Sequence, residues 1–179
     1  MQLITNTTGN KMDKILISHG SGGELSHNLI NDIIYEDLGN EILLQKTDSA
    51  LLDLKTGEIA FTTDSYVVDP IFFPGGDIGK LAVSGTVNDL AVSGAEPLYL
   101  SLSLILEEGL DTDDLKKIIS SVAKTAKEAN IKIVTGDTKV VPRGKCDKIF
   151  INTAGVGVFH KAEKEISTGK KKKKNDSII

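Results

Sequence analysis

Five leucines at every second position, Leu98, Leu100, Leu102, Leu104 and Leu106, constrain this chain more than any other segment. A period of two puts all five on one face of a strand, with Tyr99, Ser101, Ser103 and Ile105 on the other. A leucine face must be covered, and the chain supplies the cover next. Asp111-Thr112-Asp113-Asp114 reads as a helix cap, and Leu115, Ile118, Ile119, Val122, Ala126 and Ala129 follow it at helical spacing. A second helix is predicted from Asp77 to about Ser93, with Ile78, Leu81, Ala82, Leu90 and Ala91 as its apolar residues. Its small residues Ala82, Ser84, Gly85 and Ala91 let neighbours come close.

Around these elements the pattern is of short strands. Residues 41–45, Ala50–Leu54, Ile59–Thr63 and Tyr66–Val68 read as strands, the last two separated at Asp64. Pro70–Gly76 reads as a loop. Ile131–Thr135 reads as a strand ending at Gly136-Asp137, and Lys148–Val158 as one broken at Gly155 and Gly157. His19-Gly20-Ser21-Gly22-Gly23 opens a helix from Glu24 to about Tyr35. Strands outnumber helices and come in neighbouring pairs. This predicts an α+β fold, a mixed sheet with helices on one face.

Composition sets the outer limits. The 179 residues fit one ordinary domain, and 40% hydrophobic with 26% charged content is globular. The net charge of −4 divides unevenly: residues 161–179 carry +4 and the first 160 carry −8. An acidic body argues against a nucleic-acid surface. The single cysteine, Cys146, excludes an intrachain disulfide and fits a reducing compartment. No apolar run reaches membrane-spanning length, and residues 1–13 lack a signal-peptide core. A cytoplasmic location is expected. Residues 1–13 read as an unstructured leader, 14–160 as the domain, and 161–179, with five consecutive lysines at Lys170–Lys174, as a linker into a further domain cut short.

Four aspartate segments carry the chemistry: Thr47-Asp48-Ser49-Ala50, Thr62-Thr63-Asp64-Ser65, Val87-Asn88-Asp89-Leu90-Ala91 and Thr135-Gly136-Asp137-Thr138. Each aspartate lies beside or at the end of an apolar stretch. Gathered together, four carboxylates would need a cation, and hard oxygen ligands suit magnesium completed by phosphate oxygens. The competing reading of each is a turn former or a cap. Asn88-Asp89 lies inside the predicted helix, between Val87 and Leu90, where an open surface is not expected. The glycines of His19–Gly23 can bring backbone N–H groups close to an anion, although the spacing is neither that of a Walker loop nor that of a dinucleotide fingerprint. His19 fits a general base or a local hydrogen-bonding group. Lys139 and Arg143 fit phosphate partners or plain surface charge, and nothing marks Cys146 as a nucleophile.

Together these segments resemble a family of ATP-using proteins that includes aminoimidazole ribonucleotide (AIR) synthetase, selenophosphate synthetase, thiamine-monophosphate kinase and the HypE hydrogenase maturation factors. The resemblance is carried by SHGSGG at Ser18–Gly23, by TTDSYVVDPIFFPGGDIGKLAVSGTVNDLAVSGAEPLYLS at Thr62–Ser101, and by TGDTKVVPRGKCDKIFINTAGVGVF at Thr135–Phe159. The wording is most similar to the HypE group. The resemblance implies a PurM-like N-terminal domain that pairs with a second copy, their sheets closing a β-barrel. It implies ATP and Mg2+ as cofactors, with Asp48, Asp64, Asp89 and Asp137 as metal ligands. His19, Gly20, Ser21, Gly22, Gly23, Thr63, Asp64, Asn88, Asp89 and Asp137 are then the nucleotide-binding residues. For the full-length family it implies ATP-dependent dehydration of a cysteine-bound carboxamide to thiocyanate, with the carbamoyltransferase HypF and the HypC/HypD scaffold as partners. The terminal cysteine of that family has no counterpart here, so the catalytic residue stays unknown and the chain alone is expected to be inactive. The alternatives are another PurM-like ATP-using enzyme, of the thiamine-monophosphate kinase or selenophosphate synthetase type, and a non-catalytic dimerisation module.

Overall fold

The structure, a computed structural model, describes residues 13–47, 49–54 and 58–159. The predicted linker (161–179) and all but the last residue of the predicted leader (1–13) lie outside that range. Lys14 bridges to Asp111, and Ile15 is fully buried, its N–H bonded to the Leu110 carbonyl at 2.8 Å. A 3-10 turn (Ile17–Gly20) leads into α1 (Glu24–Leu29), which continues through a π-helical turn (Ile30–Ile34) into α2 (Tyr35–Leu38). Then come β1 (Ile59–Tyr66), the short pair β2 (Phe72–Phe73) and β3 (Gly76–Asp77), and α3 (Ile78–Val92). The chain closes with β4 (Glu96–Glu107), α4 (Thr112–Glu128), β5 (Lys132–Val141) and β6 (Ile149–Val158).

Four strands make one mixed sheet in the order β1-β6-β4-β5. Only β4 and β5 run parallel, and α4 is their crossover. Leu100, Leu102, Leu104 and Leu106 are 0–3% exposed, as the alternation predicts. Burying each contributes about 1.5–3 kcal/mol. Leu115, Ile118, Ile119 and Val122 of α4 are fully buried in the same core. At Gly79 of α3 an added Cβ would stand 2.6 Å from the Ile118 carbonyl, so the two helices meet nearly backbone to backbone.

Five expectations are corrected. Residues 41–45 form a turn and a 3-10 helix (Leu43–Gln45) because the Asn40 carboxamide accepts from the Ile42 and Leu43 N–H groups and donates to the Ile133 carbonyl. Ala50–Leu54 has no strand pairing. β1 passes through Asp64 without interruption, in full register with β6 from Ile59–Val158 to Tyr66–Ile151, and ends at Tyr66. β5 runs on past Gly136-Asp137 to Val141. β6 is unbroken at Gly155 and Gly157, whose missing side chains make room for elements packed on the sheet. The predicted Pro70–Gly76 loop also holds the β2–β3 pair.

The caps differ in kind. Asp77 caps α3 as expected, its Oδ1 accepting from the Gly79 and Lys80 N–H groups at 2.7 and 3.0 Å. Asp111 stands at the N-cap of α4 without a side-chain cap bond and pairs instead with Lys14 at 2.6 Å. We predict that Asp77→Ala costs about 1 kcal/mol in urea unfolding. Asp111→Ala, which loses only a half-exposed ion pair, is expected to cost less than about 1 kcal/mol. Equal losses would show that Asp77 does not act as a cap.

Candidate functional site

Strand β1 places Ala60, Thr62, Asp64 and Tyr66 on the helix side of the sheet and Ile59, Phe61, Thr63 and Ser65 on the outer side. Helix α3 lies over that inner face. Thr62 Oγ1 donates to Asp89 Oδ2 at 3.4 Å, and Thr86 Oγ1, one turn earlier on α3, donates to Asp64 Oδ2 at 3.2 Å. Asp64 and Asp89 therefore both lie along the surface seam, or groove, where α3 rests on β1. Asn88 is exposed beside Asp89, and so is Asp89 itself, contrary to the expectation drawn from Val87 and Leu90.

A buried set of hydroxyls stands behind Asp64. Tyr66 Oη donates to Asp64 Oδ2 at 3.1 Å and lies 3.1 Å from Thr86 Oγ1, which meets Thr153 Oγ1 of β6. Thr86 and Thr153 are fully buried. Burial, together with the adjacent Asp64 charge, pushes the Tyr66 phenol above its usual range, so it remains a donor. None of Thr62, Tyr66, Thr86 and Thr153 is among the residues predicted for the site. The i, i+2 step from Asp64 to Tyr66 and the i, i+3 step from Thr86 to Asp89 are the signals that point to two of them.

His19–Gly23 and Asp137 lie at the opposite edge of the sheet. Gly20 packs on β5, where a Cβ would stand 2.8 Å from the Val140 N, and Gly22 takes a positive φ of 81° that favours glycine. Ser26 Oγ accepts from the Gly22 N–H at 2.9 Å and Ser21 Oγ donates to the Ser18 carbonyl at 2.7 Å, which fixes the turn, while Gly23 is the N-cap of α1. His19 is 3% exposed, and its Nδ1 accepts from the Leu16 N–H at 2.9 Å. A cavity of about 300 Å³ lies beside this turn, lined by His19, Gly20, Gly22, Ser26 and Thr135–Thr138 and, over the other half of its wall, mainly by apolar side chains such as Ile34, Leu38, Leu102, Leu104 and Ile133.

Asp137 shares its register row with Ser103, Asn152 and Ser65, on the outer face of the sheet. Three strand spacings, about 14 Å, separate β1 from β5. The structure thus brings Asp64 to Asp89, and Asp137 to the glycine-rich turn, without joining the two groups. Among the described residues no three His, Cys, Asp or Glu side chains converge on one point. Asp48 lies outside the described residues. Thr63 faces away from Asp64, its Oγ1 donating to the Thr153 carbonyl at 2.9 Å. Lys139 and Arg143 are exposed, and Cys146 is 8% exposed with its thiol pushed up chiefly by burial, the opposite of an activated nucleophile. Two hard-oxygen carboxylates on one groove do fit a magnesium ion that takes its other ligands from phosphate and water.

Residues 46–159 match the AIR synthase related protein, N-terminal domain. The chain belongs to this AIR synthase related family. Within the family it is 56% identical over 153 residues to carbamoyl dehydratase HypE of Escherichia coli (strain K12), a match covering 83% of this chain and 46% of that protein. It is also 56% identical over 142 residues to carbamoyl dehydratase HypE of Bradyrhizobium diazoefficiens, covering 79% and 41%. Among solved structures it is similar to hydrogenase maturation protein HypE in complex with ATP, at 59% identity and a TM-score of 0.79, covering 81% of this chain and 43% of the other. It also matches a HypE–HypF complex, at 55% identity and a TM-score of 0.57, covering 74% and 42%. A thiamine-monophosphate kinase from Stenotrophomonas maltophilia, at 24% identity and a TM-score of 0.53, shares the fold. The chain spans less than half the length of the curated HypE relatives named here. The expected PurM-like α+β fold with a mixed sheet is therefore found. No helix among the described residues is long and apolar enough to cross a membrane.

One prediction concerns His19. Burial lowers its pKa from 6.5. The unfolded chain then takes up a proton near pH 6.5 that the folded chain resists, so His19 costs stability as pH falls through about 6.5. We expect its NMR midpoint below 6.5 and a smaller acid destabilisation in His19→Gln. A midpoint at or above 6.5 would contradict the buried, neutral ring.

Proposed function

We propose that residues 14–160 are the ATP-binding half of a HypE-like maturation factor, with residues 161–179 leading into a second domain. The observation that carries this reading is the Asp64–Asp89 groove, in a chain 59% identical to a HypE solved with ATP. Asp64 and Asp89 would hold Mg2+. The ion, when bound, neutralises charge on the transferring phosphoryl group. Asn88 would border the same nucleotide. Gly20–Gly23 would lie along the phosphates, with Asp137 facing them across β5 and His19 holding the turn through the Leu16 N–H. Asp48 is assigned to the metal on the family resemblance alone. The full-length activity would be ATP-dependent dehydration of a cysteine-bound carboxamide to thiocyanate. HypF is proposed as a partner because a similar HypE is solved with it. HypC and HypD, and a cytoplasmic location, rest on the family resemblance and the single buried thiol.

A homodimer belongs to the same proposal. The outer sheet face keeps Ile59 50%, Phe61 67% and Ile105 40% exposed. Phe61, Val156 and Tyr99 form one row on it, and Ile59 and Val158 belong to the next row on the same face. An apolar face of this kind marks an interaction surface, and a second copy covering it would close the barrel. We predict that Phe61→Glu shifts the chain to monomer in sedimentation. Persistence of the dimer in this variant would place the interface elsewhere.

For the nucleotide we predict magnesium-dependent ATP binding by calorimetry. Asp64→Ala and Asp89→Ala should each weaken it by about tenfold or more, since losing even one hydrogen bond to a charged group costs about 1.5–3 kcal/mol. Unchanged binding in both would refute the site.

A further inference from the structure

The hydroxyls behind Asp64 can be ordered by counting protons. Tyr66, Thr86 and Thr153 carry one hydroxyl proton each. Tyr66 Oη and Thr86 Oγ1 both donate to Asp64 Oδ2, at 3.1 and 3.2 Å. The proton of Thr86 is then used, so its 2.5 Å contact with Thr153 runs from Thr153 to Thr86. The 3.1 Å approach of Tyr66 to Thr86 carries no proton. The result is a directed chain, Thr153 to Thr86 to Asp64, joined at Asp64 by Tyr66. Both donors end on Oδ2, and among the described residues no protein donor is assigned to Oδ1.

Two glycines make room for this arrangement. A side chain at Gly85 would overlap the Tyr66 hydroxyl. A side chain at Gly155 would stand 2.9 Å from the Thr86 methyl. The space at Gly85 serves the Tyr66 hydroxyl directly, while that at Gly155 serves Leu90 and Leu100 as well as Thr86.

We infer that Thr86 and Tyr66, backed by Thr153, are positioning residues that hold Asp64 with Oδ2 occupied and Oδ1 as its one oxygen for a divalent cation, so that the groove favours magnesium over calcium. Magnesium takes a compact octahedral shell, whereas calcium readily accepts both oxygens of a carboxylate. A carboxylate with one oxygen already engaged suits the first and handicaps the second. The inference rests on the Mg-ATP reading proposed above.

The test titrates ATP into the whole 179-residue chain by calorimetry, with Mg2+ and separately with Ca2+. It compares the parent with Thr86→Val, Thr86→Ser, Tyr66→Phe and Asp64→Asn. Thr86→Val removes a hydrogen bond to a charged group and is expected to lower the Mg2+-to-Ca2+ affinity ratio by about tenfold. Thr86→Ser, which keeps the donor, should retain the ratio, and Tyr66→Phe should lower it too. A merely structural role would weaken binding with both ions alike, and an unchanged ratio in Thr86→Val and Tyr66→Phe overturns the inference. If Asp64→Asn weakens Mg-ATP binding while those ratios stay fixed, the positioning inference alone fails. If Asp64→Asn has no effect, the nucleotide reading fails and the inference falls with it. Should Thr86→Val not fold, Tyr66→Phe, at a half-buried phenol, decides alone, and an unchanged ratio there overturns the inference.

Discussion

Helix α3 lies against β1 and β6 so closely that glycines must stand where side chains would otherwise be. Gly85 yields to the Tyr66 hydroxyl, and Gly155 yields at once to Leu100, Leu90 and the Thr86 methyl. On its other side, Gly79 brings the helix onto the Ile118 carbonyl of α4. The helix is thus wedged between the sheet and its neighbour, and its capping aspartate, Asp77, fixes where it starts. Everything that α3 offers to the groove, Thr86 and Asp89 above all, inherits its position from these contacts. A shift of the helix would move both residues relative to Asp64 and Thr62.

The parts of the fold readable in the sequence are those set by burial. The leucine alternation of β4 and the helical spacing of α4 report which atoms must leave water, and neither has a competing solution. The misread parts are those in which a polar side chain or a glycine does a job specific to this packing. Residues 41–45 look like a strand until Asn40 is seen to hold their N–H groups. Asp64 looks like a strand end because a lone carboxylate is disfavoured within a half-buried strand. Two hydroxyls, one from Tyr66 two residues along the strand and one from Thr86 of α3, satisfy it, and the ladder passes through. Gly136, Gly155 and Gly157 look like breaks because glycine weakens a strand. Each is in the strand because a neighbour comes too close for any side chain.

The candidate site follows the same division. Asp64, Asp89 and the glycine-rich turn are visible as residue types near element ends. Their partners are not, because Thr62, Tyr66, Thr86 and Thr153 are ordinary strand and helix residues until the fold brings them together across up to 67 positions of sequence. That Thr62, and not Thr63, meets Asp89 is hidden for the same reason. Side chains alternate across a strand, and only the pairing with β6 and the cover by α3 say which of the two threonines faces inward.

The sheet order also changes the electrostatic argument. Four carboxylates around one point would repel strongly without a cation, and that crowding is what leads the sequence to a metal. With β1 and β5 on opposite edges of the sheet, Asp137 stands about three strand spacings from the groove. At that range water and salt screen most of its field. Asp64 and Asp89 are then left as a pair rather than part of a cluster of four, and two carboxylates carry far less mutual repulsion than four. The glycine-rich turn at β5 donates its Gly22 N–H to Ser26 and its Ser21 N–H to the Ser18 carbonyl, so its shape is set from within rather than by the groove.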